Sequence, residues 1–194
     1  MKQYDQLVDW YVSNRNPEIG IQDVSQFAAG LPQGATILDL GCGDGIPISQ
    51  FLLEAGFTLY GIDSSARMIE KFRESFPKVR LECANLMDSD FFCITFDAII
   101  AYGVMFHFPQ DEQRMIMSNV SDHLKNGGMF LFNSGAEEGE TVSVMDSVEV
   151  PHWSMSSVQY AEVLRKNGLM LFSDYRDEES GTYIYIAKKG TTES

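Results

Sequence analysis

Short apolar segments alternate along this chain with segments of helical periodicity, and this alternation constrains the fold more than any other feature. The apolar segments predict strands at residues 35–40, 57–63, 79–85, 96–102, 129–135, 169–177 and 182–189. Strands that alternate with helices form βαβ units, in which helices cover both faces of a parallel sheet. The sequence therefore predicts an α/β fold with a doubly wound, seven-stranded, mostly parallel sheet. The short link before the last strand makes that strand antiparallel.

The predicted helices divide the chain into an N-terminal helical cap, residues 1–30, and an α/β core, residues 35–190. Helices are predicted at residues 3–13, 22–29, 46–56, after Ser64 or Ser65, at 110–128 and at 156–168. A length of 194 residues is that of one domain, and we expect a single domain over 1–194.

The composition of the chain limits its possible cellular location and its possible binding partners. The chain has 14 basic and 28 acidic residues and a formal net charge of −14, which repels polyanions. We therefore expect no nucleic acid partner and no membrane partner, and a neutral or cationic small molecule is not disfavoured. Cysteines number three and form no CxxC pair, which favours a reducing, cytoplasmic location. The sequence does not specify the oligomeric state.

A glycine-rich turn follows the first predicted strand, in the sequence Asp39-Leu40-Gly41-Cys42-Gly43-Asp44-Gly45. Ligands of open α/β sheets bind at such carboxyl ends. A dinucleotide fingerprint requires a third glycine at position 46, where this chain has isoleucine, and no P-loop lysine follows. No Lys or Arg lies in residues 35–60, and two carboxylates flank the turn. That field suits a ligand with a cationic amino-acid moiety.

Two polar residues end the next predicted strands. Asp63 ends the second strand, where a carboxylate commonly accepts hydrogen bonds from ribose hydroxyls, although it could instead cap a helix. Asn85 ends the third strand, where its amide could bind an adenine edge or could simply form a turn.

The ordered segments ILDLGCGDG, YGIDSSARMI, CANLMD, FDAIIAYGVMFHF and LKNGGMFLF resemble the motifs of class I S-adenosylmethionine-dependent methyltransferases. The resemblance covers roughly residues 35–190 and is nearest to small, single-domain bacterial members that act on small molecules. It implies the Rossmann-like methyltransferase fold, with S-adenosylmethionine as cofactor.

The resemblance also implies roles for individual residues. Gly41 and Gly43 would line the amino-acid part of the cofactor, Asp39 would orient their loop, and Asp63 would bind the ribose. The implied cofactor contacts are Asp39, Gly41, Cys42, Gly43, Asp63, Ser64, Met68, Asn85, Leu86 and Tyr102. Asn85 stands where the family usually has Asp. Arg15 resembles an N-terminal arginine that meets the cofactor carboxylate in some relatives, and a surface arginine is the alternative.

Methyl transfer from a sulfonium is an in-line displacement that mainly requires alignment, so a general base is optional. His107 follows the fourth strand and is the candidate base, with an ordinary imidazole pKa, or else a packing residue. The segment VPHWSMSSVQYAEVLRKNGL resembles the substrate-side loop and last helix of the family, which makes His107, His152 and Trp153 candidates for acceptor binding. No spacing predicts a metal site.

The sequence therefore predicts transfer of the S-adenosylmethionine methyl group to a small-molecule acceptor. Two alternatives remain open, a nicotinamide-dependent oxidoreductase and a non-catalytic module that binds S-adenosylmethionine or another metabolite. The segment Ala101-Tyr102-Gly103-Val104 lacks the Asn/Asp-Pro-Pro-aromatic pattern of nucleic acid amino methyltransferases, which again disfavours DNA and RNA.

Overall fold

A computed structural model describes residues 2–178 and 181–191. The helices are α1 (Lys2–Asn14), α2 (Ile21–Ala28), α3 (Ile48–Glu54), α4 (Ala66–Ser75), α5 (Gln110–His123) and α6 (Ser157–Lys166). The strands are β1 (Thr36–Leu40), β2 (Thr58–Asp63), β3 (Arg80–Cys83), β4 (Phe96–Ala101), β5 (Leu124–Ser134), β6 (Gly139–Met145), β7 (Val148–Ser154), β8 (Leu169–Arg176) and β9 (Tyr183–Lys189). Short 3-10 turns lie at Phe91–Cys93 and Met105–His107.

The main sheet has seven strands in the order β3-β2-β1-β4-β5-β9-β8. Strands β1 to β5 pair in parallel, and β9 pairs antiparallel with both β5 and β8. The predicted doubly wound sheet with an antiparallel last strand is therefore confirmed. Strand order reverses between β1 and β4, so the carboxyl ends of β1, β2 and β4 open onto a crevice where such folds bind ligands.

Neighbouring residues of each central strand are buried on opposite faces of the sheet. On β1, Ile37 packs with the cluster of α2, α3 and α4, and Leu38 packs with that of α5 and α6. Both side chains are fully buried. A strand covered on both faces reads as a continuous apolar run, which is why these strands were recognisable in the sequence.

The N-terminal helices α1 and α2 agree with the two predicted at residues 3–13 and 22–29. Ser65, rather than Ser64, caps α4, because its hydroxyl accepts a hydrogen bond from the Met68 backbone N–H at 3.2 Å. The division into a cap at 1–30 and a core at 35–190 stays a prediction. Within the described residues, no helix is long and apolar enough to cross a membrane.

The prediction that α5 extends to residue 128 is wrong. The helix ends at His123, and Leu124 has extended backbone angles of φ −87° and ψ 139°. Leu124 pairs in parallel with Phe96 of β4, and the register shifts before Met129 pairs with Ala98. Pairing between strands therefore overrides the helical periodicity of this segment.

Strands β6 and β7 form an antiparallel hairpin that the sequence patterns did not predict. Asp146 and Ser147 form its turn, with positive φ values of 46° and 67°. The segment that resembled a substrate-side loop, with His152 and Trp153, is the second strand of this hairpin. It lies against the 3-10 turn that contains His107, so the hairpin joins the crevice from the acceptor side.

Candidate functional site

A cavity of about 350 Å³ lies at the carboxyl ends of β1, β2 and β4. It brings together most of the residues predicted from the sequence: Arg15, Asp39, Gly41, Cys42, Gly43, Asp63, Ser64, Met68, Leu86, Tyr102 and His107. Three predicted residues, Asn85, His152 and Trp153, are not part of its lining. The motif residues therefore lie in the crevice that the strand order predicts.

The turn after β1 carries two glycines whose backbone other residues could not easily adopt. Gly41 has a φ of +71°, and a Cβ there would lie 2.6 Å from the Val104 side chain. Gly43 has a φ of +55°, and no protein atom lies within 4 Å of where its Cβ would be. The turn therefore packs tightly on one side and leaves room beside Gly43 for a ligand to approach the backbone.

Asp63 links this turn to the start of α4. Its Oδ2 accepts a hydrogen bond from the Gly43 N–H at 2.9 Å, and its Oδ1 accepts one from the Ser65 N–H at 2.8 Å. Burial raises the pKa of the Asp63 carboxyl, and the backbone donors of Ser65, Gly43 and Ser64 oppose that shift. A carboxylate has about four acceptor sites, so this capping role is compatible with a further hydrogen bond from a ribose hydroxyl.

Asp39 lies beneath the turn and is 4% exposed. Its Oδ2 accepts a hydrogen bond of 2.6 Å from the Ser49 hydroxyl of α3, which ties the strand end to the helix after the glycine turn. Burial raises the pKa of Asp39 to about 7, with the Ser49 hydrogen bond opposing and the Asp63 charge adding to the shift.

This raised pKa predicts a pH-dependent stability. The folded pKa lies above the ordinary value of 3.8, so the protonated Asp39 carboxyl favours the folded state. This contribution to the free energy of unfolding is fully present below about pH 4 and is lost as pH rises through about 7. We expect the free energy of unfolding of Asp39→Asn to vary less over that range than the parent's, by on the order of 4 kcal/mol. Urea titrations at several pH values measure this, and parallel pH profiles would contradict the assignment.

Arg15 reaches the cavity from the segment after α1. Its Nη1 forms an ion pair with Asp44 Oδ1, and the two side chains are only 9% and 8% exposed. The guanidinium also lies 6.0 Å from the centre of the Tyr11 ring. The surface alternative considered for Arg15 is therefore wrong.

Tyr102 lines the cavity and is held by a hydrogen bond to Asp23 that was not predicted from the sequence. Its hydroxyl donates a hydrogen bond to Asp23 Oδ2 at 3.1 Å, and the Tyr175 hydroxyl donates to Asp23 Oδ1 at 2.8 Å. Asp23, on α2, is 5% exposed, so one buried carboxylate joins the N-terminal helices to β4 and β8. A lone acidic residue in an amphipathic helix gives no sequence signal for such a partner.

The other end of the cavity is lined by Ser64, Met68 and Leu86. Asn85 instead turns its amide to the local backbone, where Oδ1 accepts a hydrogen bond from the Met87 N–H at 3.1 Å. The side-chain oxygen of Asn85 therefore stabilises a turn, which was the alternative considered for this residue. Binding of Asn85 to adenine stays a prediction.

Three aromatic rings form a group at the opposite end of the cavity. The His107 ring lies 4.4 Å from the Phe106 ring and 5.0 Å from the His152 ring, centre to centre, and Phe106 and His152 are also 5.0 Å apart. Burial, and then the neighbouring His152, lower the pKa of His107 to about 3, against a hydrogen bond with the Gly103 backbone. The expectation of an ordinary imidazole pKa is therefore wrong, because the surrounding side chains partly desolvate the ring.

Residues that carried no motif complete this end. Met145 from the β6–β7 hairpin and Thr182 before β9 line the cavity. Asn133 of β5 accepts a hydrogen bond of 2.6 Å from the Gly103 N–H, which fixes the backbone after Tyr102. In the part of the chain that the structure describes, no group of three or more His, Cys, Asp or Glu residues could hold a metal ion.

Comparisons with known proteins agree with this geometry. A family model for a methyltransferase domain matches residues 37–128. The chain is 28% identical over 143 residues to a Xenopus tropicalis tRNA (carboxymethyluridine(34)-5-O)-methyltransferase. The aligned region covers 72% of this chain and 21% of that protein. It is 26% identical over 170 residues to an O-methyltransferase, resE, of Aspergillus sclerotiorum, covering 80% of this chain and 63% of the relative. The chain thus spans less than two thirds of these curated relatives.

A solved structure, an S-adenosylmethionine-dependent methyltransferase from Clostridium acetobutylicum, superposes with a TM-score of 0.76 at 15% identity. The match covers 96% of this chain and 99% of that one. The sheet order and the glycine turn define a Rossmann-like methyltransferase fold. Together with the family model, which matches just under half of the chain, they support a class I S-adenosylmethionine-dependent methyltransferase.

Proposed function

We propose that this chain binds S-adenosylmethionine in the cavity and transfers its methyl group to a neutral or cationic small molecule. The observation that carries the proposal is the hydrogen bond that the Gly43 N–H donates to Asp63, which joins a carboxylate to a glycine turn with open space beside it. The nicotinamide alternative lacks its third glycine, since Ile46 stands at that position, and the methyltransferase family model speaks against it.

The charges of the cavity support the proposed orientation of the cofactor. Asp39, Asp44 and Asp63 lie at the glycine turn, with Arg15 as the cation beside them. A ligand with an ammonium and a sulfonium is attracted by such a surplus of carboxylates, and its own carboxylate is matched by the guanidinium. The amino-acid part would therefore lie near Gly41 and Gly43.

The nucleoside would extend in the other direction. The Asp63 carboxylate would accept hydrogen bonds from the ribose, and Ser64, Met68 and Leu86 offer the adenine a pocket with one polar and two apolar walls. This order leaves the methyl group facing Tyr102 and His107.

S-adenosylmethionine supplies a methyl group that is already activated by the positive charge on sulfur. The chain needs to hold the acceptor in line and to exclude water. Phe106 and the half-buried His107 ring form a packed wall for that purpose. His107, with a pKa of about 3, is too weakly basic to remove a proton efficiently near neutral pH.

The variant His107→Ala should therefore distinguish a packing role of His107 from a role as general base. We expect the turnover number to fall by less than about tenfold, since a general base contributes roughly 10²–10⁴-fold and none is lost here. Acceptor KM should rise by roughly tenfold, because a packed ring is removed from the pocket. The dependence of the rate on pH should have the same shape in parent and variant from about pH 6 to 8. A parent limb near the ordinary imidazole pKa that is missing in the variant would instead establish His107 as the base.

The acceptor end also limits the charge of the acceptor. Its lining includes Val104, Phe106, Met145 and a neutral His107, and the arginine of the described cavity lining, Arg15, lies instead at the glycine turn beside Asp44. An anionic acceptor would lose its hydration there without gaining a counter-charge.

Similarity to the tRNA methyltransferase of Xenopus tropicalis keeps a nucleic acid acceptor as the second candidate. The net charge of −14 opposes it. The test is transfer of radiolabelled methyl groups to metabolite fractions separated by charge, with total tRNA as a parallel acceptor. We expect label in the neutral or cationic small-molecule fractions. Label only in tRNA or in anionic metabolites would contradict the proposed acceptor class.

A further inference from the structure

Gln113 is a buried side chain of α5 that touches the backbone of both histidine-bearing segments. It is 0% exposed. Its Nε2 donates to the Phe108 carbonyl at 2.7 Å and to the Trp153 carbonyl at 2.9 Å. Phe108 directly follows His107, and Trp153 directly follows His152. One amide group therefore bridges two segments that are distant in the sequence.

The orientation of this amide is itself fixed. The Tyr160 hydroxyl donates to Gln113 Oε1 at 2.7 Å, and Tyr160 is also fully buried. That hydroxyl accepts the Met155 N–H at 3.2 Å and is hydrogen-bonded to Ser134 at 2.7 Å. A flipped amide would oppose its oxygen to two carbonyls and its NH₂ to a hydroxyl proton, so only one orientation satisfies every partner.

From this bridge we propose that Gln113 is a positioning residue, which holds the His107 and His152 rings side by side at the acceptor end of the cavity. The inference rests on the proposed function for its catalytic meaning, and on hydrogen-bond geometry for the positioning itself. Gln113 touches neither ring and acts through the backbone that carries each of them.

A neighbouring contact supports the bridge without replacing it. Gln110, one turn earlier on α5, donates from Nε2 to the Ser154 carbonyl at 3.0 Å. It holds the end of β7 but has no bond to the turn that carries His107. Gln113 is thus the residue whose side chain fixes both segments at once, and a glutamine is suited to this because its amide offers two donors and an acceptor.

The test uses the histidines of the full chain as probes. Because the sequence contains three of them, His107, His123 and His152, histidine-selective labelling gives a simple ring spectrum. In the parent, rings 5.0 Å apart should give a nuclear Overhauser effect between His107 and His152. Gln113→Met has a similar shape and no hydrogen-bonding amide. We expect this effect to be lost and both ring signals to shift, with the His123 signal unchanged.

Two further variants keep the result interpretable. Ser121→Ala removes another buried donor of α5, which bonds the Asn167 carbonyl at 2.6 Å, so it should destabilise the helix similarly but keep the effect between the rings. Tyr160→Phe keeps the aromatic ring and removes the hydroxyl that orients the Gln113 amide. We expect it to weaken the nuclear Overhauser effect between the rings, and it serves as the test if Gln113→Met does not fold. Retention of the full effect in a folded Gln113→Met or in Tyr160→Phe would overturn the inference.

A titration with S-adenosylhomocysteine separates this inference from the proposed function. Gln113 lies outside the cofactor contacts, so parent and Gln113→Met should bind the nucleoside with equal affinity. A parent that does not bind it would refute the proposed function, and the ring measurement would still decide the role of Gln113. An affinity that falls in Gln113→Met while the rings stay in contact would contradict the positioning role.

Discussion

Gly43→Val should abolish cofactor binding, with an affinity loss of more than about 100-fold, and should leave the sheet folded. The space beside Gly43 contains no protein atom within 4 Å, so a valine side chain would fit the protein but occupy the space needed by the ligand. The lost approach to the backbone and the displaced ligand atoms together exceed the roughly 3 kcal/mol that corresponds to this factor. Calorimetric titration with S-adenosylhomocysteine measures the loss.

Gly34→Val provides a matched control for backbone strain. Gly34 also has a positive φ, of +72°, and also has no protein atom within 4 Å of a Cβ, but it precedes β1 and lies outside the cavity lining. Both variants carry a β-branched residue in the left-handed region, which costs roughly 1–2 kcal/mol. Only Gly43→Val should lose binding. Equal binding by the two variants would show that the space beside Gly43 is not used.

Asp63→Ala has the second largest expected effect, a loss of cofactor affinity of roughly 10–100-fold. The variant removes the proposed acceptor of the ribose hydroxyls, and a hydrogen bond to a charged group contributes roughly 1.5–3 kcal/mol. It also releases the Gly43 and Ser65 N–H groups, which loosens the turn that the cofactor would contact. The direct effect and the indirect one act in the same direction.

Two variants divide the effect of Asp63. Asp88→Ala removes an exposed carboxylate outside the cavity and controls for net charge, so its affinity should match the parent's. Asp63→Asn keeps one acceptor oxygen and should bind more tightly than Asp63→Ala. An unchanged affinity in a folded Asp63→Ala would remove this residue from the site.

Local sequence patterns were sufficient to predict the sheet and the cofactor end of the cavity. Each central strand is a run buried on both faces, and the residues that follow β1 and β2 reach the same edge because parallel strands end together. Gly41, Gly43 and Asp63 therefore lie together as predicted. Glycines with positive φ and a carboxylate at a strand end carry their signal within a few residues.

The acceptor end depends on contacts between distant segments, which a single sequence does not reveal. The β6–β7 hairpin contains exposed Val142 and Val144 and has weak burial, so its alternation was not recognised as strand. The low pKa of His107 results first from burial and then from His152, which lies forty-five residues further along the chain. The helix signal of α5 was correct in type, but its end was set by Leu124 pairing with β4.

The most direct measurement is a calorimetric titration of the full chain with S-adenosylhomocysteine, followed by the same titration with NAD. We predict one S-adenosylhomocysteine bound per chain, competition by S-adenosylmethionine, and no binding of NAD. Because the Asp63 carboxylate and the open side of Gly43 are the basis of this claim, Gly43→Val should show no heat of binding. Binding of NAD in place of S-adenosylhomocysteine, or equal binding by Gly43→Val, would contradict the assignment of the cavity.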